Sequence, residues 1–250
     1  DAEGNTLSKA YKSGYATWTY TYDGEDRMTA AALTDASGTV VVDAKYAYDL
    51  FGRRIGKSVN GAVTRYAYTG LALVAEYEGG GVHPTARWFY GPGAIDHPVA
   101  MERGGQMFYY VYDERGSVVA ITNANGEAVQ KYEYDSFGRI TLGEGRIANP
   151  FAYTGREFDP ETGLYYFRAR YYDPDTGRFL RQDPVFAPSL YPYANGDPVN
   201  NVDPLGLAVS ERDVVIEETS KIRRVAHQIR GGGYKTLSFF ENIKDGVEMG

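Results

Sequence analysis

Five Asp-Pro dipeptides lie in the last hundred residues of this 250-residue sequence, and their carboxyl groups could carry out acid–base chemistry. Their aspartates are Asp159, Asp173, Asp183, Asp197 and Asp203. Most such dipeptides start turns, because Asp caps its own turn and Pro fixes φ at about −65°. Two carboxyl groups that lie close together can also act as a catalytic pair. Their mutual repulsion keeps one of them protonated, so the pair supplies both an acid and a base for amide hydrolysis.

Other catalytic groups are poorly represented. Cysteine is absent, which excludes disulfides, thiolate nucleophiles and cysteine-based zinc sites. The three histidines, His83, His97 and His227, lack the spacing of metal ligands. No serine lies in the pattern of a nucleophile elbow. The sequence therefore predicts no metal site and no cofactor.

The composition resembles that of a soluble folded protein, with 43% apolar and 24% charged residues. The formal net charge is −7, and all of the excess lies in residues 1–207, because residues 208–250 contain seven basic and seven acidic side chains. An acidic body argues against a general nucleic-acid surface, which needs clustered Lys and Arg. No apolar run approaches the roughly 20 residues of a membrane-spanning helix.

Tyrosine and glycine are unusually abundant, with 23 and 30 residues, and they follow a repeat. The pattern Tyr-x-Tyr-Asp, with weaker copies between its four occurrences, returns about every 22 residues, a period typical of repeat architectures. The four full copies are Tyr20–Asp23, Tyr46–Asp49, Tyr110–Asp113 and Tyr132–Asp135. Because such a unit is too small to fold alone, neighbouring units must stack.

Each repeat predicts a β-hairpin. Tyr46–Ile55 and Tyr132–Ile140 place an Asp-x-x-Gly turn between two strand-like runs, which indicates a bend of four residues. Two-residue turn signals occur at Asn60-Gly61 and Asn125-Gly126. Stacked hairpins leave the tyrosines on alternate faces of one sheet, where packing between strands is their favoured role. A sugar-binding or base-stacking platform is the alternative.

The residues that follow the repeats resemble a known family. Tyr153–Leu180, which reads YTGREFDPETGLYYFRARYYDPDTGRFL, is followed by Asp183-Pro184 and by Asn200–Leu207, NNVDPLGL. Together with the repeats, this stretch resembles the repeat-associated core of the YD-repeat or Rhs proteins, relatives of the C component of bacterial ABC toxins and of teneurins. The resemblance covers residues 1–207. It implies a mainly β fold, with hairpins stacked into a spiralling sheet that forms part of a hollow shell around a C-terminal toxin.

The resemblance also implies a division of the chain into three parts. Residues 1–152 would form the YD-repeat shell, 153–207 the core with its plug and cleavage region, and 208–250 the start of a variable toxin region. Seven repeat units are too few to close a shell, and the sequence does not begin with Met. We therefore expect it to be the C-terminal portion of a longer protein.

Self-cleavage is the activity that the resemblance implies, with the cut between Leu207 and Ala208. Asp183 and Asp203 occupy the family's Arg-Phe-Leu-x-x-Asp-Pro and Val-Asp-Pro-Leu-Gly-Leu positions and would form the catalytic pair. Which aspartate acts as the acid stays open. The loop between them is a few residues shorter than is common in the family and lacks its glycine-rich stretch.

Residues around this pair would supply geometry and charge. Pro204 starts a turn, and Gly206 allows a backbone conformation that exposes the Leu207 carbonyl. The Leu207 side chain would fill an apolar pocket. Arg178 and Arg181 could hold a carboxylate ionised or stabilise an oxyanion, although ordinary salt bridges are an equal alternative for both.

The pattern changes after Leu207. Ser210–Asp213 is a capping box that predicts a helix with an apolar stripe as far as Ile229, ended by Gly231–Gly233. A second capping signature at Ser238–Glu241 predicts a short helix. This helical tail does not identify the activity of a toxin.

Two functions compete. The first is a secreted toxin delivered into a target cell, whose shell holds its own cleaved toxin and whose partners are an immunity protein and a secretion or delivery apparatus. The second is an uncleaved adhesion or carbohydrate-binding module resembling teneurins. A denaturing gel separates them, since only the first predicts two fragments.

Overall fold

Stacked hairpins build one large antiparallel sheet, here called the wall. The computed structural model describes residues 1–11, 14–92, 95–184, 190–207 and 210–211. Within them, thirteen strands each pair with the next strand along the chain, and the sheet is open at β1 and β13. The strands are β1 (Ser8–Ala10), β2 (Ala16–Tyr22), β3 (Met28–Asp35), β4 (Val40–Tyr48), β5 (Arg54–Val59), β6 (Ala62–Thr69), β7 (Ala72–Glu78), β8 (Ala86–Tyr90), β9 (Pro98–Arg103), β10 (Gln106–Tyr112), β11 (Val118–Thr122), β12 (Ala128–Tyr134) and β13 (Ile140–Gly145). The predicted mainly β fold of stacked hairpins is confirmed.

The aspartate of each Tyr-x-Tyr-Asp unit closes a hairpin turn. Asp49 Oδ1 accepts hydrogen bonds from the backbone N–H of Phe51 at 2.9 Å and of Arg53 at 3.0 Å, and Gly52 has a φ of 78°. The same bonds to the residues two and four positions on occur at Asp23, Asp113 and Asp135. The carboxylate thus satisfies the backbone donors of the turn, and the predicted four-residue bend is confirmed.

The two Asn-Gly signals have different outcomes. Asn60-Gly61 is the two-residue turn between β5 and β6, with φ values of 48° and 88°, as predicted. At Asn125-Gly126 the two-residue prediction is wrong. There Asn123 occupies the position that the aspartate has in the other repeats. Its Oδ1 accepts hydrogen bonds from the N–H groups of Asn125 and Glu127, both at 3.0 Å, so the bend has four residues. A capping side chain upstream decides the turn length.

Tyrosine hydroxyls tie each hairpin to the preceding one. The second tyrosine of six repeats donates its hydroxyl to a backbone carbonyl at or near the start of the preceding strand, at 2.6 to 3.0 Å. Donor and acceptor are Tyr22 and Thr6, Tyr48 and Met28, Tyr68 and Arg54, Tyr90 and Leu73, Tyr112 and Pro98, and Tyr134 and Val118. Burial raises the pKa of these hydroxyls above the ordinary value, so they remain donors.

A second, smaller sheet covers the aromatic face of the wall and is called the core sheet. Its strands are β14 (Glu157–Asp159), β15 (Leu164–Phe167), β16 (Arg170–Asp173) and β17 (Arg178–Phe179), with short 3₁₀ turns at Tyr153–Gly155 and Tyr193–Gly196. Its buried rings are Tyr165, Phe167, Tyr172, Phe179 and Tyr193. Tyr166 and Tyr171 point the other way and pack with Trp18, Tyr20 and Tyr46 of the wall.

Buried ion pairs join the core sheet to the wall. The Arg54 side chain is 1% exposed and pairs through Nη2 with Glu157 Oε2 at 2.9 Å and through Nη1 with Asp159. Lys57 Nζ lies 2.9 Å from the second Asp159 oxygen. Burial by itself would raise the pKa of Asp159, but Arg54 and Lys57 hold it below its usual value. The carboxylate is therefore ionised at neutral pH.

A two-stranded sheet follows the core sheet along the chain. Strand β18 (Asn201–Val202) pairs antiparallel with β19 (Ser210–Glu211). A helix starting at Ser210 is thus the wrong prediction for these two residues, because strand pairing overrides the local capping signal. The rest of that helix, Gly231–Gly233 and Ser238–Glu241 lie outside the described residues. No helix in the described part of the chain is long and apolar enough to cross a membrane.

Candidate active site

The core sheet and the segment that follows it bring Asp183 and Asp203 to one place. Asp183 follows β17. Its N–H donates a hydrogen bond to the carbonyl of Leu190 at 2.9 Å. Asp203 comes directly after β18. Both side chains are buried, at 5% and 3% exposure.

Arg170, the first residue of β16, connects the two carboxylates. Its Nη2 atom lies 2.7 Å from Asp183 Oδ2 and 3.1 Å from Asp203 Oδ2. Because one nitrogen contacts both oxygens, the oxygens can be no farther apart than the sum of these two distances. The fold therefore places two buried carboxyl groups around a single guanidinium.

The other nitrogen atoms of Arg170 donate hydrogen bonds to two backbone carbonyls near the aspartate pair. Nε donates to the carbonyl of Gly206 at 2.5 Å, and Nη1 donates to that of Leu190 at 3.1 Å. The guanidinium lies 3.7 Å from the centre of the Phe179 ring. Burial lowers the pKa of Arg170, while Asp203 and Asp183 act in the opposite direction. A guanidinium stays charged in either case, so it offsets one of the two carboxylates.

Asp203 also contacts the residue that precedes the expected cut. Its Oδ1 accepts a hydrogen bond from the N–H of Leu207 at 2.9 Å. The Leu207 residue is 6% exposed. Gly206 has a φ of 67°, and a Cβ there would lie 2.7 Å from the carbonyl oxygen of Phe167. Only glycine fits this turn, which begins at Asp203 and Pro204. Ala208 lies outside the described residues.

The two arginines selected from the sequence have other contacts. Arg178 is exposed, with its guanidinium 5.1 Å from the Tyr191 ring centre. Arg181 donates to the carbonyl of Asp26 at 2.8 Å and lies 3.8 Å from its carboxylate. Burial lowers the pKa of Arg181, and Asp183 is one of the smaller opposing charges.

The sequence analysis missed Arg170, although a signal was present. This arginine interrupts the aromatic run from Leu164 to Asp173, in which strands are buried on both sides. Arginine is rarely buried without an acidic partner. The run therefore predicts an acidic partner for Arg170, although the Asp-Pro motifs that flank it in the sequence, at Asp159 and Asp173, are not the ones it contacts.

An open wall of antiparallel hairpins, covered on its aromatic face by a short core sheet, defines the class of YD-repeat shell proteins. The family model described as Teneurin YD-shell matches residues 19–198, and the chain belongs to this family. The predicted resemblance to YD-repeat proteins is thereby confirmed.

Two curated relatives are named as a nuclease and as a toxin. The tRNA3(Ser)-specific nuclease WapA of Bacillus spizizenii is 38% identical over 199 residues, which cover 76% of this chain and 8% of that protein. Double-stranded DNA deaminase toxin A of Burkholderia cenocepacia is 31% identical over 245 residues, covering 84% of this chain and 17% of that protein. The chain spans less than a fifth of the length of either relative.

Among solved structures, the crystal structure of TcdB2-TccC3-TEV is similar, with a TM-score of 0.61 and 23% sequence identity. The match covers 76% of this chain and 10% of that chain. A crystal structure of TcdB2-TccC3 gives a TM-score of 0.60 at 24% identity. The two share the fold of this chain.

Proposed function

We propose that this chain is part of a secreted toxin whose YD-repeat shell encloses a C-terminal effector and cuts it from the chain after Leu207. One observation carries the proposal. The carboxylates of Asp183 and Asp203 share the Arg170 guanidinium, and Asp203 accepts a hydrogen bond from the N–H of Leu207. Two buried carboxyl groups are thus next to the residue after which the family resemblance implies the cut.

The proposed reaction is hydrolysis of the Leu207–Ala208 amide. One aspartate, as carboxylate, takes a proton from water while the water oxygen attacks the Leu207 carbonyl carbon. The other aspartate, as carboxylic acid, protonates the leaving nitrogen of Ala208 when the C–N bond breaks. The step requires that the pair hold one proton, so that one aspartate is the base and the other is the acid.

Enclosure supports retention of the cut effector. Residues 208–250 carry no net charge, so the acidic body has no strong electrostatic attraction for them. A severed segment would then stay only if the shell surrounds it. The pairing of β18 with β19 brings Ser210 and Glu211 back beside Asn201 and Val202.

The named activities of the relatives support an effector that differs between proteins. One acts on tRNA and another is a deaminase toxin of double-stranded DNA, according to their names. A chain that carries such an effector needs an immunity protein in the producing cell and an apparatus that delivers it to a target cell. Both are partners that we include in the proposal.

The test uses the complete natural polypeptide that contains this sequence, analysed by intact mass and by sequencing of the new N-terminus. We expect two fragments, the second starting at Ala208, and an uncut chain for Asp183→Asn or Asp203→Asn. The control is Asp197→Asn, another aspartate before proline, which is exposed and whose carboxylate accepts hydrogen bonds from Asn200, three residues further on. It should cut normally. An uncut wild-type chain would refute the proposal and favour the adhesion module.

A further inference from the structure

The carbonyl of Pro204 lies three residues before the proposed cut and is held by two arginines. Arg156 Nη1 donates to it at 2.8 Å, and Arg168 Nη1 donates to it at 3.0 Å. Both guanidinium groups also form ion pairs with the carboxylate of Asp96, one oxygen for each Nη2 atom. Asp96, Arg156 and Arg168 are called the Asp96 cluster below.

The three members come from separate parts of the fold. Asp96 belongs to the wall, in the connection between β8 and β9. Arg156 directly precedes β14, and Arg168 is in the turn between β15 and β16 of the core sheet. The cluster is therefore complete only when the core sheet is docked against this part of the wall.

The charges of the cluster favour hydrogen bonds to a backbone carbonyl. The side chains of Asp96 and Arg156 are 7% and 4% exposed. Burial would raise the pKa of Asp96, but Arg156 and Arg168 hold it at about 2, so the carboxylate is ionised at neutral pH. Two guanidinium groups flank one carboxylate in this place. The oxygen of the Pro204 carbonyl, which carries partial negative charge, accepts from both.

The backbone of Arg168 is strained in a way that favours a functional role. Its φ is 58°, in the left-handed region that side chains other than Gly, Asn and Asp rarely adopt. It occupies the first position of the two-residue turn that joins Phe167 to Arg170. Glycine would fit this position without strain, so the arginine side chain must offer something that glycine lacks. Its contacts are Asp96 and the Pro204 carbonyl.

The segment before the cut is fixed at successive backbone groups. Beyond the Pro204 carbonyl, the Leu205 carbonyl accepts from the N–H of Ala169 at 3.3 Å, and the Gly206 carbonyl accepts from Arg170. The Asp96 cluster and Arg170 hold neighbouring parts of this segment from different elements. Moving the Pro204 carbonyl would therefore change where Leu207 lies relative to Asp183 and Asp203.

We propose that the Asp96 cluster positions the chain for self-cleavage and makes cleavage depend on docking of the core sheet against the β8–β9 part of the wall. Its residues do not touch the reacting atoms, so they are positioning residues. This inference rests on the proposed function. A displacement of about 1 Å in reacting groups can slow a reaction by about 100-fold, which sets the scale of the effect.

The experiment follows cleavage in time during cell-free synthesis of the complete natural polypeptide, with a short labelling pulse and denaturing quench. It yields a first-order rate constant and a final cut fraction. For Asp96→Asn and Arg168→Gln we expect the rate constant to fall by about tenfold or more while the final fraction stays near that of the wild type. Misfolding would instead lower the final fraction and leave the rate of the folded molecules unchanged.

Three further variants separate positioning from stability. Arg168→Gly relieves the left-handed strain and should be slow nevertheless, whereas Arg168→Lys keeps a charged donor and should recover part of the rate. The matched control is Arg103→Gln, which removes a half-buried arginine of the wall that pairs with Glu76 at 2.9 Å. Its rate constant should equal that of the wild type.

Each outcome decides between the two proposals. An uncut wild type refutes the proposed function. A wild type that cuts, together with wild-type rate constants for Asp96→Asn and Arg168→Gly, overturns the role of the Asp96 cluster alone. The same holds if these variants lower only the final fraction.

Discussion

At the scale of single residues, the candidate site depends on positions where both the backbone and the side chain are restricted. Arg170 contacts two carboxylates and two carbonyls, and Gly206 has a φ that favours glycine beside a close backbone neighbour. Such restriction fixes the Leu207 residue relative to Asp203 before any reaction begins. Preorganised geometry of this kind lowers the barrier of an intramolecular reaction.

Gly206→Ala tests this restriction. The added methyl group would meet the Phe167 carbonyl oxygen at 2.7 Å and the Phe167 Cβ at 3.2 Å, so the turn must shift. We expect cleavage to slow by roughly ten- to hundredfold, in line with the cost of small displacements of reacting groups. The rate is measured by gel densitometry during synthesis.

The matched control is Gly163→Ala. Gly163 has a similar φ of 72°, but a Cβ there would have no atom within 4 Å. It therefore shares the conformational cost of about 1 kcal/mol without the collision. Equal slowing in both variants would contradict the argument from close approach.

At the scale of elements, each repeat is a hairpin stabilised by two hydrogen-bonding side chains. The aspartate closes the turn within a hairpin, and the second tyrosine bonds the hairpin to its predecessor. The tyrosine ring packs in the core, while its hydroxyl satisfies a carbonyl near the edge of the buried face. This explains why the repeat uses tyrosine where phenylalanine would give similar burial.

Tyr112→Phe tests the hydrogen bond by which the second tyrosine connects neighbouring hairpins. It removes the hydroxyl bond to the Pro98 carbonyl, which is 2.7 Å long, and keeps the ring. We expect the free energy of unfolding to fall by about 1 to 2 kcal/mol, the cost of an unsatisfied buried acceptor. The measurement is urea denaturation followed by tyrosine fluorescence or circular dichroism.

Tyr109→Phe serves as its control on the same strand. Tyr109 lies on the opposite face of β10 and is 43% exposed. Its substitution should change stability by no more than about 0.5 kcal/mol. If both variants lost the same stability, the hydroxyl bond between hairpins would not be the cause.

At the scale of the whole molecule, buried charges connect the wall to the core sheet. Arg54 is the first residue of β5 in the wall, and its partners Glu157 and Asp159 come from β14. The Asp96 cluster makes a second connection of the same kind. Docking of the core sheet is therefore specified by charge pairs as well as by aromatic packing.

Asp159→Asn should destabilise the docked state by about 3 to 5 kcal/mol, because it leaves Arg54 and Lys57 buried with fewer negative partners. The pKa of Asp159 is below its usual value in the folded protein. Its contribution is therefore complete above pH about 4 and is lost as the pH falls below that value. Denaturation at pH 7 and at pH 3 should show that the variant loses less stability on acidification than the wild type.

Asp175→Asn is the control for that comparison. Asp175 is 54% exposed and lies 3.7 Å from Lys9, a surface pair of little energetic value. Its stability at neutral pH and its pH dependence should match those of the wild type. An Asp159→Asn variant with the same acid sensitivity as the wild type would contradict the assignment of that sensitivity to Asp159.

Much of the wall was predictable because its signals are local. The spacing of Tyr-x-Tyr-Asp, the glycine at the end of the bends that start at Asp49, Asp113 and Asp135, and the Asn60-Gly61 turn each concern a few neighbouring residues. The family resemblance rests on similarly continuous motifs. Where local signals competed, the prediction failed: Asn123 overrode the Asn125-Gly126 signal, and strand pairing overrode the capping signal at Ser210.

Local sequence patterns were enough to predict the hairpin repeat, the mainly β fold and the two candidate aspartates. The contacts of Arg170 with those aspartates, and of Asp96 with Arg156 and Arg168, became known only from the packed sheets. The physical reason is distance along the chain. A turn is specified by residues a few positions apart, whereas a buried charge cluster gathers side chains from several strands, and its partners are known only once the sheets have packed.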